Sequence, residues 1–263
     1  MRYRFLRFPG GLSKAVTLSY DGGCKDDIRF SETICAHGLK CTFNINSGFI
    51  AEKEGDWHLT REQIKKYLID TGNEIAVHGK YHRALGKVTP VDGIRDVLEC
   101  RTELENDFGM IIRGMAYPDS GITRFENGAE YGNIKQYLTD LGIVYSRTLG
   151  GDNDSFALPT DWHAWMPTAH HTNPELFGYI DKFLNEPMSS YDAAQTPRLF
   201  YLWGHSLSLK TIKIGICLIK YALPFQISPM YGMLRILKFT IMFPLTAHWF
   251  SAPTAVWSII RHS

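Results

Sequence analysis

The chain has 263 residues, of which 44% are hydrophobic, so it can bury one sizeable core, and a single α/β barrel commonly has this length. Its formal net charge of +1 gives no bulk attraction for nucleic acid or for a strongly acidic partner. The five cysteines form no CxxC pair, which argues against a zinc ribbon or a thioredoxin motif and favours buried thiols in a reducing compartment.

The N-terminal segment lacks the features of a secretory signal. Residues 1–16, MRYRFLRFPGGLSKAV, contain neither an apolar core nor a small-residue cleavage site. We therefore expect a cytoplasmic protein.

Short β-prone runs alternate with helical patterns along the first 200 residues. Apolar alternation and turn residues predict strands at 15–20, 40–46, 74–77, 111–117, 143–146 and 199–203. Helical spacing and capping residues predict helices at 27–37, 60–69, 89–108, 133–141 and 174–184. Strands that alternate with helices in this way indicate parallel βα units, so the predicted fold class is α/β.

The distribution of charge predicts a boundary near residue 206. Every acidic residue lies at or before Asp192, whereas residues 193–263 contain seven Lys or Arg and no Asp or Glu. Globular domains usually mix both signs on their surface. We therefore divide the chain into a domain at 1–206 and an atypical tail at 207–263.

Four polar side chains are predicted to meet at one end of the sheet. Asp21 ends the first strand, His78 and His82 follow the third in HGKYH, and His205 follows the last in LWGHS. The i, i+4 spacing would place both histidines on one side of a helical turn, as two nitrogen ligands of one metal require. Because the carboxyl ends of parallel strands converge, the set favours metal-assisted hydrolysis over polar loop residues without a function.

The ordered motifs resemble those of the polysaccharide deacetylases, the NodB-homology family. LSYDGG is similar to the TFDDG motif, HGKYH to HSxxH, and LWGHS to the last motif with its histidine. The segment AYP falls where the RPPY motif would be, Trp165 falls near the motif that carries a tryptophan, and KCTFNINSG is similar to the second strand. The resemblance covers residues 14–206 and implies a distorted (β/α) barrel, incomplete at its C-terminus.

This resemblance implies removal of acetyl groups from N-acetylated sugars with zinc or a similar divalent ion. By position, Asp21 corresponds to the catalytic base, His78 and His82 to the metal ligands, and His205 to the general acid. The resemblance also implies an oxyanion or substrate contact at Asp119, Tyr117 and Trp165.

Three positions depart from the family pattern. Gly22 stands where the family has its metal-binding aspartate. In the third motif, Ala116 stands where the family has the arginine that orients the base, and Asp119 stands where it has a tyrosine. Asp26 or Asp27 could reach towards the metal, although capping of the next helix is the expectation for both. A glycan-binding pseudoenzyme is therefore an alternative, with Trp162, Trp165, Tyr117, His170 and His171 lining a sugar groove.

The tail permits two interpretations. Residues 211–250 are apolar with scattered basic residues, but prolines interrupt them before the roughly 20 residues that a membrane span needs. A membrane-associated protein that uses this tail is a second alternative. The interpretation we prefer is a shifted reading frame after His205, because a possible back-translation of residues 231–243, read two bases later, resembles the closing strand and helix of the family.

Overall fold

The computed structural model describes residue 8 and residues 14–149, 153–185 and 197–206. Predictions about the tail at 207–263, including its reading frame and its membrane contact, lie outside the described residues. None of the helices among the described residues is long and apolar enough to span a bilayer.

Parallel strands and helices alternate as the sequence pattern predicts. The strands are β1 (Lys14–Asp21), β2 (Cys41–Ile45), β3 (Glu74–Val77), β4 (Gly114–Ala116), β5 (Tyr145–Arg147), β6 (Ala169–His170) and β7 (Arg198–Gly204). The helices are α1 (Asp26–Ala36), α2 (Arg61–Gln63, continued by the π-helical turn Ile64–Ile69), α3 (Pro90–Phe108), α4 (Tyr131–Asp140) and α5 (Leu176–Asn185). Short 3-10 turns occupy Ser47–Phe49 and Trp162–Ala164.

Local capping residues explain where the helices begin and end. The side chains of Thr60 and Gln63 form a reciprocal capping box at the start of α2. Thr89 accepts a hydrogen bond from the Asp92 N–H at the start of α3, and Pro90 occupies the first turn. Gly109 ends α3 in the left-handed conformation.

The strands form one curled, seven-stranded parallel sheet in the order β5-β4-β3-β2-β1-β7-β6. Its two edges are linked by a single segment, because Trp165 forms a parallel bridge to Arg147 of β5 and Ala169–His170 pairs with β7. This arrangement confirms the predicted barrel of α/β type. The sequence pattern did not reveal β6, which is too short to show any alternation.

Alternating strand residues make the interior of the barrel polar. The Asn44 amide donates to the Ser19 hydroxyl, and the Thr42 hydroxyl donates to the Glu74 carboxylate. The apolar core lies mainly outside the sheet, under the helices. An aromatic group that includes Phe8, Tyr145, Trp165 and Tyr201 forms a second, smaller cluster. Successive side chains of each strand point to opposite faces of the sheet, one towards the helices and the other towards the inside of the barrel. The polar side chains therefore converge inside the barrel.

Candidate active site

A cavity of about 230 Å³ opens at the carboxyl ends of the strands. Five of its lining residues were singled out by the sequence analysis, and one, Leu149, was not: Asp21, His78, His82, Asp119, Leu149 and His205. The distance between the Asp21 Oδ2 and the His78 Nε2 is 3.9 Å, and the rings of His78 and His82 lie 4.8 Å apart. The fold therefore brings the predicted base, both predicted ligands and the predicted acid to one place.

The loop that carries both histidines is not the helical turn that their spacing suggested. Gly79 and His82 are both left-handed, with φ of 72° and 56°, and the residues between them form bends. The Asp96 carboxylate accepts hydrogen bonds from the N–H groups of Lys80 and Tyr81, which folds the loop back. A Cβ at Gly79 would lie 2.3 Å from the Asp96 Oδ2, so this turn requires glycine.

The imidazole of His78 is arranged to offer one nitrogen lone pair to the cavity. Its Nδ1 lies 2.9 Å from the Ala116 carbonyl oxygen, which can only accept, so Nδ1 carries the proton. Burial lowers the pKa of His78 to about 4, and the nearby Asp21 only partly opposes this shift. His78 is therefore neutral at neutral pH, with an unprotonated Nε2 beside Asp21, as a metal ligand must be.

Asp21 is held at both of its carboxylate oxygens. The Asn44 amide donates to Oδ1 over 2.7 Å, and the Arg147 Nη2 donates to Oδ2 over 2.5 Å. Burial raises the pKa of Asp21, but the positive charge of Arg147, the two histidines His78 and His205 and the Asn44 hydrogen bond outweigh it, so the net pKa lies below the usual value. Asp21 is consequently a fixed carboxylate rather than a mobile one.

Arg147 is a functional candidate that the sequence analysis missed. Its side chain is fully buried, and its guanidinium also lies 4.3 Å from the centre of the Trp203 ring. It stands at the end of β5, in the segment YSRT, which matches none of the motifs considered. The available signal was an arginine at the carboxyl end of a predicted buried strand, where an unpaired charge is costly.

Gly22, the neighbour of Asp21, has open space around the position of a side chain. A Cβ added at Gly22 would meet nothing within 4 Å, but the backbone φ of 127° is one that L-residues rarely adopt. Among the described residues, no three His, Cys, Asp or Glu side chains are already placed to hold one metal ion. His78 and His82 thus fit a divalent ion as a pair, without the carboxylate that would complete the set.

The remaining predicted site residues lie in different surroundings. Asp119 lines the cavity, and its left-handed φ of 51° turns the chain after Pro118. Tyr117 and Trp165 do not line it, since both are almost fully buried. The Tyr117 hydroxyl donates to the His163 carbonyl oxygen, and the Trp165 ring packs against Tyr145. Direct contact of these two aromatic side chains with a substrate would need a rearrangement.

The aromatic and histidine residues proposed for a sugar groove also separate into two groups. The Trp162 ring packs on Trp165, away from the cavity. The His170 ring lies 4.3 Å from that of His171 and 6.0 Å from that of His205. Burial lowers the pKa of both His170 and His171 to about 4. Only the histidine group therefore adjoins the candidate site.

Asp27 stabilises the loop that follows β1 and does not line the cavity. Its Oδ2 accepts a hydrogen bond from the Cys24 N–H, and the Cys24 sulfur lies 3.2 Å from the Ser206 hydroxyl. Helix α1 has no side-chain N-cap, so the capping role expected of Asp26 or Asp27 is wrong. The reason is that Asp27 turns its carboxylate inward, where it joins the first loop to the end of β7.

The buried Asp27 carboxyl predicts a pH-dependent stability. Burial raises its pKa from 3.8 to about 7, against the opposing hydrogen bonds of Ser206 and Cys24. Between those pH values the folded protein keeps a proton that the unfolded chain releases, so this contribution to the free energy of unfolding falls as the pH rises. The free energy of unfolding of Asp27→Asn, relative to that of the wild type, should therefore increase as the pH is raised from 5 to 8.

Urea unfolding of both proteins at the two pH values measures this change. Asp56→Asn, at an exposed acid that is not among the charges acting on Asp27, is the matched control and should show no such difference. An Asp27→Asn effect that is the same at pH 5 and pH 8 would contradict the inferred protonation of Asp27.

Solved structures of similar fold are family 4 carbohydrate esterases. The esterase from Streptomyces lividans in complex with acetate has a TM-score of 0.52 at 11% identity, over 84% of this chain and 96% of that one. The polysaccharide deacetylase Bc1974 from Bacillus cereus has a TM-score of 0.52 at 14% identity, over 81% and 89%. A mutant of BA3943, a pseudoenzyme of the same esterase family from Bacillus anthracis, has a TM-score of 0.52 at 16% identity, over 81% and 63%.

These likenesses establish the fold, and the sequence match establishes the family. The chain spans less than two thirds of the Bacillus anthracis protein. No curated protein sequence matches significantly. The sequence profile described as polysaccharide deacetylase matches residues 6–142, which is more than half of the chain. This protein therefore belongs to the polysaccharide deacetylase family.

Proposed function

We propose that this protein is a metal-dependent hydrolase that removes acetyl groups from N-acetylated sugars. The observation that carries the proposal is the convergence of Asp21, His78, His82 and His205 on one cavity, from three separate segments of the chain. Membership of the family supports hydrolysis of an acetyl amide. The metal, zinc or a similar divalent ion, is part of the proposal, as is the acetylated sugar.

Each residue has a distinct part in the proposed reaction. A divalent ion held by His78 and His82 would polarise the acetamide carbonyl and acidify a water molecule. Asp21, which stays ionised because its pKa is lowered, accepts the proton of the attacking water. His205 donates a proton to the departing amine. The backbone N–H at Asp119, in the turn after Pro118, donates to the oxygen that gains negative charge.

His78→Ala tests the metal requirement. Because His78 is one of only two protein ligands that we assign, its loss should reduce zinc binding to background in calorimetry and abolish acetate release from N-acetylated amino sugars. His58→Ala, at a partly buried histidine outside the cavity, is the matched control and should keep both properties. Wild-type protein that binds no zinc above background would rule out the metal-dependent function.

A glycan-binding pseudoenzyme is the second candidate function. Gly22 favours it, because two protein ligands hold a metal more weakly than three. Among proteins of similar fold, BA3943 is described as a pseudoenzyme, and a mutant of it as having restored enzymatic activity. This alternative predicts binding of N-acetylated sugars without release of acetate, which equilibrium binding and an acetate assay on the same sample would distinguish.

A cytoplasmic location remains a proposal. Cys24, Cys35, Cys41 and Cys100 are free thiols, and three of them are buried, which is compatible with a reducing compartment. Fractionation of the producing cells, with and without residues 207–263, tests the location and the membrane alternative together. Recovery with membranes that depends on those residues would favour the membrane-associated protein.

A further inference from the structure

We infer that Arg147 is a positioning residue that holds Asp21 in the place of a base and keeps it from becoming a metal ligand. The inference rests on the proposed function and extends it to a residue that no motif assigned. It explains how the carboxylate of Asp21 can remain available for proton transfer in a site where glycine, at residue 22, stands in place of a second carboxylate.

Strand register is the first support. Arg147 of β5 and Ala116 of β4 are direct partners in the parallel ladder. Register partners on neighbouring parallel strands point to the same face of a sheet and stand about 4.8 Å apart. The motif comparison expected the arginine at residue 116, on β4. Here the guanidinium comes from Arg147 on the neighbouring strand β5, and it reaches the carboxylate of Asp21.

The contacts of Asp21 are the second support. The Asp21 Oδ2 accepts a hydrogen bond from the Arg147 Nη2 at 2.5 Å, whereas the distance from the same oxygen to the His78 Nε2 is 3.9 Å. Oδ1 is occupied by the Asn44 amide. For Asp21 to rotate onto a metal beside His78, it would have to give up a charged hydrogen bond between two buried groups.

The burial of Arg147 is the third support. The Nε and Nη1 atoms have no hydrogen-bond partner among the described residues, so Asp21 provides the hydrogen-bonded anchor of this guanidinium. The Trp203 ring covers it at 4.3 Å and limits its movement. A buried cation so placed also repels a divalent ion in the adjacent cavity.

These contacts predict an unusual sign for the effect of removing Arg147. Arg147→Met keeps much of the side-chain length but removes the charge and releases the Asp21 Oδ2. Zinc and Co²⁺ should then bind about tenfold more tightly or better, which is the size of effect expected when a metal ligand or its hydrogen-bond partner changes. The kcat for acetate release should fall. A purely structural role would instead weaken metal binding, because the cavity would loosen.

A double substitution separates the guanidinium from its strand. Ala116→Arg combined with Arg147→Ala exchanges two register partners and leaves the total side-chain volume unchanged. We expect this variant to return metal affinity and kcat to within several-fold of the wild type. Arg29→Met, on the exposed face of α1, makes the same chemical change away from the site and should alter neither property.

Calorimetry with Zn²⁺, the visible spectrum of bound Co²⁺ and an acetate assay decide between the outcomes. Folded Arg147→Met protein that binds metal no more tightly than the wild type would overturn the inference, and a wild type that still binds zinc and releases acetate would leave the proposed function intact. Absence of metal binding and of acetate release in the wild type would refute the proposed function itself.

The exchange variant decides the case in which Arg147→Met does not fold. Wild-type metal affinity in the folded exchange variant would then support the inference. A folded exchange variant with tighter metal binding would overturn it. Failure of both variants to fold would also overturn it, since Arg147 would then serve the fold alone.

Discussion

Asp21→Asn is expected to lower kcat/KM for acetate release by about 10²–10⁴-fold, the usual contribution of a positioned proton acceptor. An amide cannot take the proton of the attacking water, although it keeps the shape of the carboxylate. Asn44 and Arg147 would still surround the position. The chemical step, rather than substrate binding, should therefore carry most of the loss, with KM changing little.

The same substitution should also destabilise the protein. It leaves the fully buried guanidinium of Arg147 without its counter-ion, and removal of one partner from a buried pair costs about 3–5 kcal/mol. Urea unfolding measures this cost, and circular dichroism identifies the conditions under which the variant is folded for the assay. Asp26→Asn, at an exposed acid nearby, is the control. A folded Asp21→Asn protein with unchanged kcat/KM would show that Asp21 is not the base.

Gly22→Asp should tighten zinc binding by ~10-fold to 100-fold or more, because even groups that only support a ligand contribute that much. A Cβ at Gly22 would meet nothing within 4 Å, which leaves room for a carboxylate next to Asp21, and Asp21 lines the cavity together with His78 and His82. The backbone φ of 127° opposes the change, at about 1–3 kcal/mol of strain. The metal-free variant should therefore melt at a lower temperature than the wild type, and zinc should raise its melting temperature more.

Gly22→Ala separates the strain from the ligand. It imposes the same backbone cost but offers no oxygen, so it should lose stability without gaining metal affinity. Calorimetric titration with zinc and thermal unfolding of the three proteins give the comparison. Equal zinc affinities for the aspartate and alanine variants would show that a side chain at residue 22 does not reach the metal.

Periodicity and capping residues were sufficient to predict most of the elements. The runs at 74–77 and 90–108 carry strong local signals, namely a buried β-prone segment and a threonine cap followed by proline. The strand expected at 111–117 is shorter, at Gly114–Ala116, because only these residues pair with β5. Ala169–His170 could not be predicted as a strand, since its pairing with β7 depends on a partner that is distant in sequence.

The candidate site was predictable where residue type and strand position coincide. Asp21, His78, His82 and His205 follow strand ends, and parallel strands bring such positions together whatever the details of the loops. The conformation of HGKYH was not predictable, because Asp96 of α3 bends it through hydrogen bonds. The aromatic candidates Tyr117 and Trp165 were placed near the site by motif order, yet packing turns both side chains into the interior.

The sequence by itself determined the α/β barrel and the residue types of the site, because these follow from local periodicity and order along the chain. The tertiary structure decided which charges meet. Arg147 reaches Asp21 across 126 positions of sequence, and its strand lies next to that of Ala116. Such a pairing depends on strand order and register, which no local pattern encodes.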